Sequence, residues 1–262
     1  MRILITGAGR AIGRATAVEL MARGHDVVAT ARDIELLTDL DGAHVHPLDV
    51  TSDASVTTCI DNVGELDAVV NNAALPGTGP LDGYPLDEFQ RVLDSNMIGA
   101  LRVIQAVLPT WRPRGSGVIV NVSSVQGRVA TPLAGAYAAS KYALEAISEV
   151  LHYEVGHFGI RTVIVEPGYI APGMKRGDDF RGSPEYDELW EQWTGTDSKL
   201  TGPDGRPGPE LVARAIADAI EDPTTPLRVP VGADAEMVLA TRAHLSDEKF
   251  EAAMRETIGM TW

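Results

Sequence analysis

The chain has 262 residues, 44% of them hydrophobic and 23% charged, a composition that suits a globular protein with a full core and excludes collagen-like and disordered classes. A net charge of −15 argues against sequence-independent binding to nucleic-acid phosphates. The single cysteine, Cys59, excludes an intramolecular disulfide and every multi-cysteine zinc or iron–sulfur site. Only Ile3, Leu4 and Ile5 precede the first turn signal, and no stretch nears about 18 uninterrupted apolar residues. Neither signal peptide nor membrane span is expected, and the cytoplasm is the expected compartment.

In chain order, Ile3–Thr6 predicts a first strand and Ala11–Ala22 a first helix, stopped at Gly24. Between them lies Thr6-Gly7-Ala8-Gly9-Arg10-Ala11-Ile12-Gly13, a glycine-rich turn at a helix start. There the backbone can approach a pyrophosphate. The turn is a weak signal alone, but a second strand at Val27–Thr30 completes a strand–helix–strand unit around it. Residues 1–32 also hold Arg2, Arg10, Arg14, Arg23 and Arg32 against Glu19 and Asp26, a positive start to an acidic chain. At the end of the second strand an acidic residue would bond a ribose 2′-hydroxyl, whereas an arginine would accept a 2′-phosphate. The chain reads Ala29-Thr30-Ala31-Arg32 there, and Arg10 can face the same phosphate from the turn. NADP(H) is therefore expected over NAD(H), the alternative being that both arginines are solvated surface charges.

Further strands are predicted at Val45–Leu48, Ala68–Asn71, Val118–Val122, Thr162–Val165 and Leu227–Val231. Helices are predicted at Ser55–Val63, Leu86–Leu108, Ala136–His157 and Glu210–Glu221, the last stopped by Pro223. Near-continuous apolar strands alternating with helices predict an α/β chain. The expected architecture is a single doubly wound Rossmann-type domain over 1–262, with a seven-stranded, mostly parallel sheet. His44 and His46 alternate along a strand and are expected to be ordinary edge residues, and no spacing suggests a metal site.

Ser123-Ser124 ends the fifth strand, at the sheet edge where doubly wound folds bind ligands. In the following helix Tyr137 and Lys141 are four residues apart and share a face. A phenol normally has a pKa of about 10, and a fixed ammonium beside it is expected to lower that value and make Tyr137 a usable acid or base. Taken alone, Tyr-x-x-x-Lys is common and more often marks core or interface.

Together these residues resemble the short-chain dehydrogenase/reductase (SDR) family almost end to end. The likeness covers the 6–13 turn, Asp49-Val50, Asn71-Asn72-Ala73-Ala74, Asn96, Ser124, Tyr137, Lys141 and Pro167-Gly168. The 13-residue spacing from Ser124 to Tyr137 fits that family and favours Ser124 over Ser123. The resemblance implies an NADPH-dependent oxidoreductase acting on a carbonyl or secondary alcohol. Tyr137 would give its proton to the substrate oxygen, Ser124 would orient that oxygen, Lys141 would hold the nicotinamide ribose, and Asn96 would position a proton-relaying water. Gly7, Gly9, Ile12, Gly13, Asp49, Val50, Asn72, Ala73, Pro167, Gly168 and the Ile170 backbone would complete the cofactor site with Arg10 and Arg32. It also implies a homodimer or homotetramer built on the two longest helices.

Three positions depart from the family pattern. Ala11 and Ala74 replace glycines, from which slight backbone displacement is expected. Pro172 replaces a threonine that bonds the cofactor amide, which leaves cofactor orientation to backbone groups near 168–170. Residues 171–210 hold 12 of the 42 Gly and Pro residues and are expected to form a substrate lid. Met174, Trp190 and Trp193 would cover a lipophilic ligand, or the aromatics would simply pack the lid onto the body. Two other functions stay open: a non-catalytic NADP(H)-sensing regulator, which the complete Asn96, Ser124, Tyr137 and Lys141 set disfavours, and an epimerase or dehydratase on the same fold.

Overall fold

Side-chain alternation along the strands decides which helix layer each strand residue meets. In the computed structural model, which describes residues 1–174, 180–194, 196, 199 and 205–262, seven strands form one sheet: β1 (Arg2–Ile5), β2 (Asp26–Ala31), β3 (His44–Pro47), β4 (Ala68–Asn71), β5 (Gly117–Val122), β6 (Ile160–Pro167) and β7 (Arg228–Val231). They pair in the order β3-β2-β1-β4-β5-β6-β7, every pair parallel. Ile3, Ile5, Val27, Ala29 and Val70 point to one face and pack with Ala17 and Leu20 of α1 (Ala11–Ala22) and with residues 212–220. Leu4, Val28, Val69 and Ile119 point to the other and pack with Val56, Val103, Ile104 and Leu151.

The first layer is completed by the helix Glu210–Glu221. The second contains α2 (Asp53–Val63), α3 (Leu86–Leu93), α4 (Gly99–Arg114) and α5 (Gly135–Gly156). The strand order reverses between β1 and β4, so the chain leaves these neighbours in opposite directions and a crevice opens at their C-terminal ends. No helix among the described residues is long and apolar enough to cross a membrane.

The predicted helix over 86–108 is interrupted and longer than expected. A π turn at Asp94–Ile98 joins α3 to α4, and α4 continues past Pro109 and Pro113 to Arg114. Interior prolines disfavour this, but the extension seats Trp111, 1% exposed, with its indole N–H donated to Leu66 O at 2.7 Å. Gly115, left-handed at φ 72°, supplies the stop.

The chain beyond α5 holds α6 (Asp187–Thr194), α7 (Glu210–Glu221), α8 (Ala233–His244) and α9 (Asp247–Ile258). Helices α8 and α9 did not emerge from the sequence. Of the expected lid, residues 175–179, 195, 197, 198 and 200–204 lie outside the described residues. Its α6 buries Leu189, Trp190 and Trp193 against Leu133 and Ile258.

Ala11 has φ 45°, the left-handed region, which costs a residue with a Cβ about 1–2 kcal/mol. Glycine would relieve this but add about 0.4–1 kcal/mol of unfolded-state entropy. Ala11→Gly is therefore expected to stabilise the fold slightly, raising Tm by about 1–3 °C in calorimetry. Ala74 shows no such strain, since its φ is not positive.

Candidate active site

One cleft of about 910 Å³ runs along the C-terminal edge of the sheet, from the glycine turn to Tyr137 and Lys141. That size is at the upper end of small-molecule and cofactor sites.

At the β1–β4 crevice, Thr6 Oγ1 accepts from Asn72 N and Ala73 N, both at 3.0 Å. Asn72 Nδ2 donates to Thr6 O at 3.0 Å and Gly7 O at 3.1 Å. Gly13 is required by this closeness: a Cβ on it would fall 2.5 Å from Asn72 Nδ2. Gly13 itself lies beneath the cleft, whereas Gly7, Gly9, Arg10, Ile12, Asn72 and Ala73 line it. The cradle is thus built by the backbone at a helix N-terminus, which suits a pyrophosphate.

Arg10 and Arg32 both line the cleft, as do Asp49 and Val50. Asp33 follows Arg32, but its Oδ1 accepts from Glu35 N at 3.1 Å and caps the 3₁₀ turn Ile34–Leu37. Hydrogen bonds from Thr51, with Arg32 and Arg102 nearby, hold the Asp49 carboxyl below the usual range. Arg14 is spent elsewhere, paired with Asp39 at 2.6 Å.

At the other end, Ser124 leaves β5 and Tyr137 and Lys141 rise from one face of α5. The Lys141 ammonium is 5.6 Å from the Tyr137 ring centroid and donates to Val122 O at 2.7 Å. Burial, opposed by Glu145 one turn on, pulls the Lys141 pKa down to about 8. The lowered phenol expected from the sequence is not found. Burial of the hydroxyl pushes the Tyr137 pKa up to about 12, with only a hydrogen bond from Ser124 opposing. Desolvation outweighs a lysine that is committed to a backbone carbonyl.

Asn96 is buried in the π turn and does not line the cleft. Its Oδ1 accepts from Leu75 N at 2.7 Å, and its Nδ2 donates to Leu75 O and Ser140 Oγ, both at 2.9 Å. It thereby ties the strand 4 exit loop to α5, an engagement that the sequence did not reveal. A second buried chain links β4, β5 and α5: Asn71 Nδ2 to Asn121 Oδ1 and Asn121 Nδ2 to Ser148 Oγ, each 2.8 Å. Of these, Asn121 and Ser148 carried no signal beyond being polar residues at core positions.

Pro167, Gly168, Ile170, Pro172, Met174 and Trp193 line the cleft beside Tyr137. Trp190 does not: it is 2% exposed and donates its indole N–H to Arg181 O at 2.9 Å. It packs α6 onto the body in one buried cluster with Leu133 and Ile258, with the Arg181 guanidinium 5.0 Å from its ring centroid.

The sequence model of the short chain dehydrogenase family matches residues 1–179. A short-chain dehydrogenase structure from Streptomyces avermitilis is 34% identical, with a TM-score of 0.82, covering 98% of this chain and 97% of that one. Human retinol dehydrogenase 8 is 35% identical over 86% of this chain and 79% of its own. A 3-oxoacyl-[acyl-carrier protein] reductase from Brucella melitensis, solved with bound NAD, is 31% identical with a TM-score of 0.72 and coverages of 87% and 88%. With its parallel sheet, crossover order and glycine turn matched from the first residue onward, the chain belongs to the short-chain dehydrogenase family.

Proposed function

We propose that the protein is an NADPH-dependent reductase of lipophilic ketones or aldehydes, working in reverse on the corresponding alcohols. The observation that carries this is the shared cleft: a backbone cradle with two arginines at one end, and Ser124, Tyr137 and Lys141 at the other. The residues present fit a nicotinamide dinucleotide, since Gly7, Gly9, Arg10 and Ile12 line the cleft where the backbone enters the N-terminus of α1. The bound dinucleotide supplies the hydride. The chain's own part is to hold the carbonyl oxygen and deliver a proton to it. With a pKa of about 12 the Tyr137 hydroxyl is protonated at neutral pH, the form needed to donate, and Ser124 is placed to share the same oxygen. Lys141, cationic below about pH 8, favours the charge that Tyr137 carries after its proton leaves.

Apolar lining by Leu133, Met174 and Trp193 supports a lipophilic substrate, and the human relative is named for retinol, a lipophilic alcohol. Exposed Tyr142, Val150 and Tyr153 along α5 support a homodimer or homotetramer. The test is loss of NADPH absorbance with a panel of lipophilic ketones and aldehydes. Tight NADPH binding with no turnover across the panel would instead favour a sensor.

Arg10 and Arg32 carry the preference for NADPH. Each guanidinium–phosphate contact is charge-assisted and worth about 1.5–3 kcal/mol. The Arg10→Ala/Arg32→Ala variant is expected to lose about 10²-fold or more in NADPH affinity while NADH affinity stays within about threefold. Parallel titrations of the two dinucleotides check this, and equal losses for both would remove the arginines from phosphate recognition.

A further inference from the structure

We propose that Asp234, in the first turn of α8, is a positioning residue that sets the backbone turn against which the nicotinamide end of the dinucleotide must lie. The proposal rests on the cofactor reading above and goes beyond it to a residue 65 positions away from the turn it holds. Asp234 Oδ2 accepts from Tyr169 N at 2.6 Å, a close bond from a backbone amide to a carboxyl oxygen. One residue earlier, Gly168 N donates to Val231 O at 3.0 Å. The turn after β6 is thus fastened at two successive amides to the β7–α8 junction.

Two glycines make room for the carboxylate. A Cβ on Gly168 would collide with all three carboxyl atoms of Asp234, and one on Gly232, which has φ 108°, would fall 2.7 Å from Asp234 Oδ1. Gly168 therefore has a specific reason to be glycine: the side chain that fills its empty side comes from another element.

The consequence for binding follows from what the turn faces. Phosphates belong at the backbone cradle of α1, so the reactive ring belongs at the end with Tyr137, where Tyr169, Ile170 and Pro172 form the wall. Pro172 brings neither an amide N–H nor a side-chain hydroxyl to that wall. Ile170 likewise offers only backbone polar groups, and the direction of the turn that carries them is set from behind by the bond from Tyr169 N to Asp234. Ala171 N, donating to Pro207 O at 2.8 Å, secures the far side. Misaligning one or two such hydrogen bonds, each worth about 0.5–1.5 kcal/mol, costs roughly ten- to a hundredfold in affinity.

Calorimetric titration of the full chain tests this with NADPH and with 2′-phospho-ADP-ribose, which keeps the phosphates but lacks the nicotinamide. Asp234→Ala is expected to weaken NADPH ten- to a hundredfold and leave 2′-phospho-ADP-ribose within about threefold. Asp234→Asn, which keeps an acceptor oxygen, is expected to recover most of the NADPH affinity. Gly168→Ala, which displaces the carboxylate without removing it, is expected to repeat the Asp234→Ala pattern and serves if that variant does not fold. Unchanged NADPH affinity, or equal losses for both ligands in a folded variant, would overturn the proposal. A wild-type protein that binds neither NADPH nor NADH would overturn the cofactor reading itself, an outcome distinct from the variant pattern.

Discussion

Tyr137→Phe is expected to lower kcat for ketone reduction by about 10³-fold while leaving NADPH affinity within about threefold. Phenylalanine keeps the ring, and with it the contact to the Lys141 ammonium 5.6 Å from the centroid, so packing and cofactor site are preserved and only the proton donor is removed. Without it, the oxygen of the reduced substrate must take its proton from water in a walled cleft. Stopped-flow absorbance, with binding followed separately by NADPH fluorescence, separates the two quantities. If Tyr137→Phe turns over at the wild-type rate, the proton comes from elsewhere, and the Ser124, Tyr137 and Lys141 cluster is not the reacting group.

What could be read from the sequence and what could not divide along the range of the interactions involved. The strands were legible because buried parallel strands are continuous apolar runs, and Glu210–Glu221 because its ends carry local stop signals. Ser124, Tyr137 and Lys141 were legible as neighbours because a strand end and an i, i+4 helix spacing fix their placement locally. Asn96 was placed in its helix, yet its partner Leu75 is 21 residues away, and no local pattern announces a π turn. Proline 109 argued for an end that Trp111, packed under Leu66, overrules. Helices α8 and α9 escaped notice because their buried sets are thin, Ala235 and Val238 in one and Phe250 and Ile258 in the other, and they cover the Trp193 region rather than the sheet. The direction of the Tyr137 shift was misjudged for a related reason. Spacing reveals a nearby charge but not the depth at which the hydroxyl is buried, and burial is the larger influence here.

Lys141 gives the second large effect, a loss of activity on the alkaline side. Its pKa of about 8 means that the ammonium is present below pH 8 and lost above it, whereas Tyr137, at about 12, keeps its proton throughout the accessible range. The kcat/KM for NADPH, which reports groups of the unliganded protein, is therefore expected to be flat from about pH 6 to 7 and to fall about tenfold per unit above 8. Lys141→Gln should be weak and show no such limb. Stability should move the opposite way. The unfolded lysine holds its proton up to about 10.4, so between pH 8 and that value the unfolded chain binds more protons than the folded one. Stability from this group therefore rises with pH by about 1 kcal/mol between pH 8 and 9, and the unfolding free energy of wild type relative to Lys141→Gln measures it. A buried ammonium that costs the fold stability while sustaining the reaction is the signature of a lysine held in place for chemistry. A pH profile without the alkaline limb, or a Lys141→Gln variant that retains it, would assign that limb to another group and leave Lys141 a structural role alone.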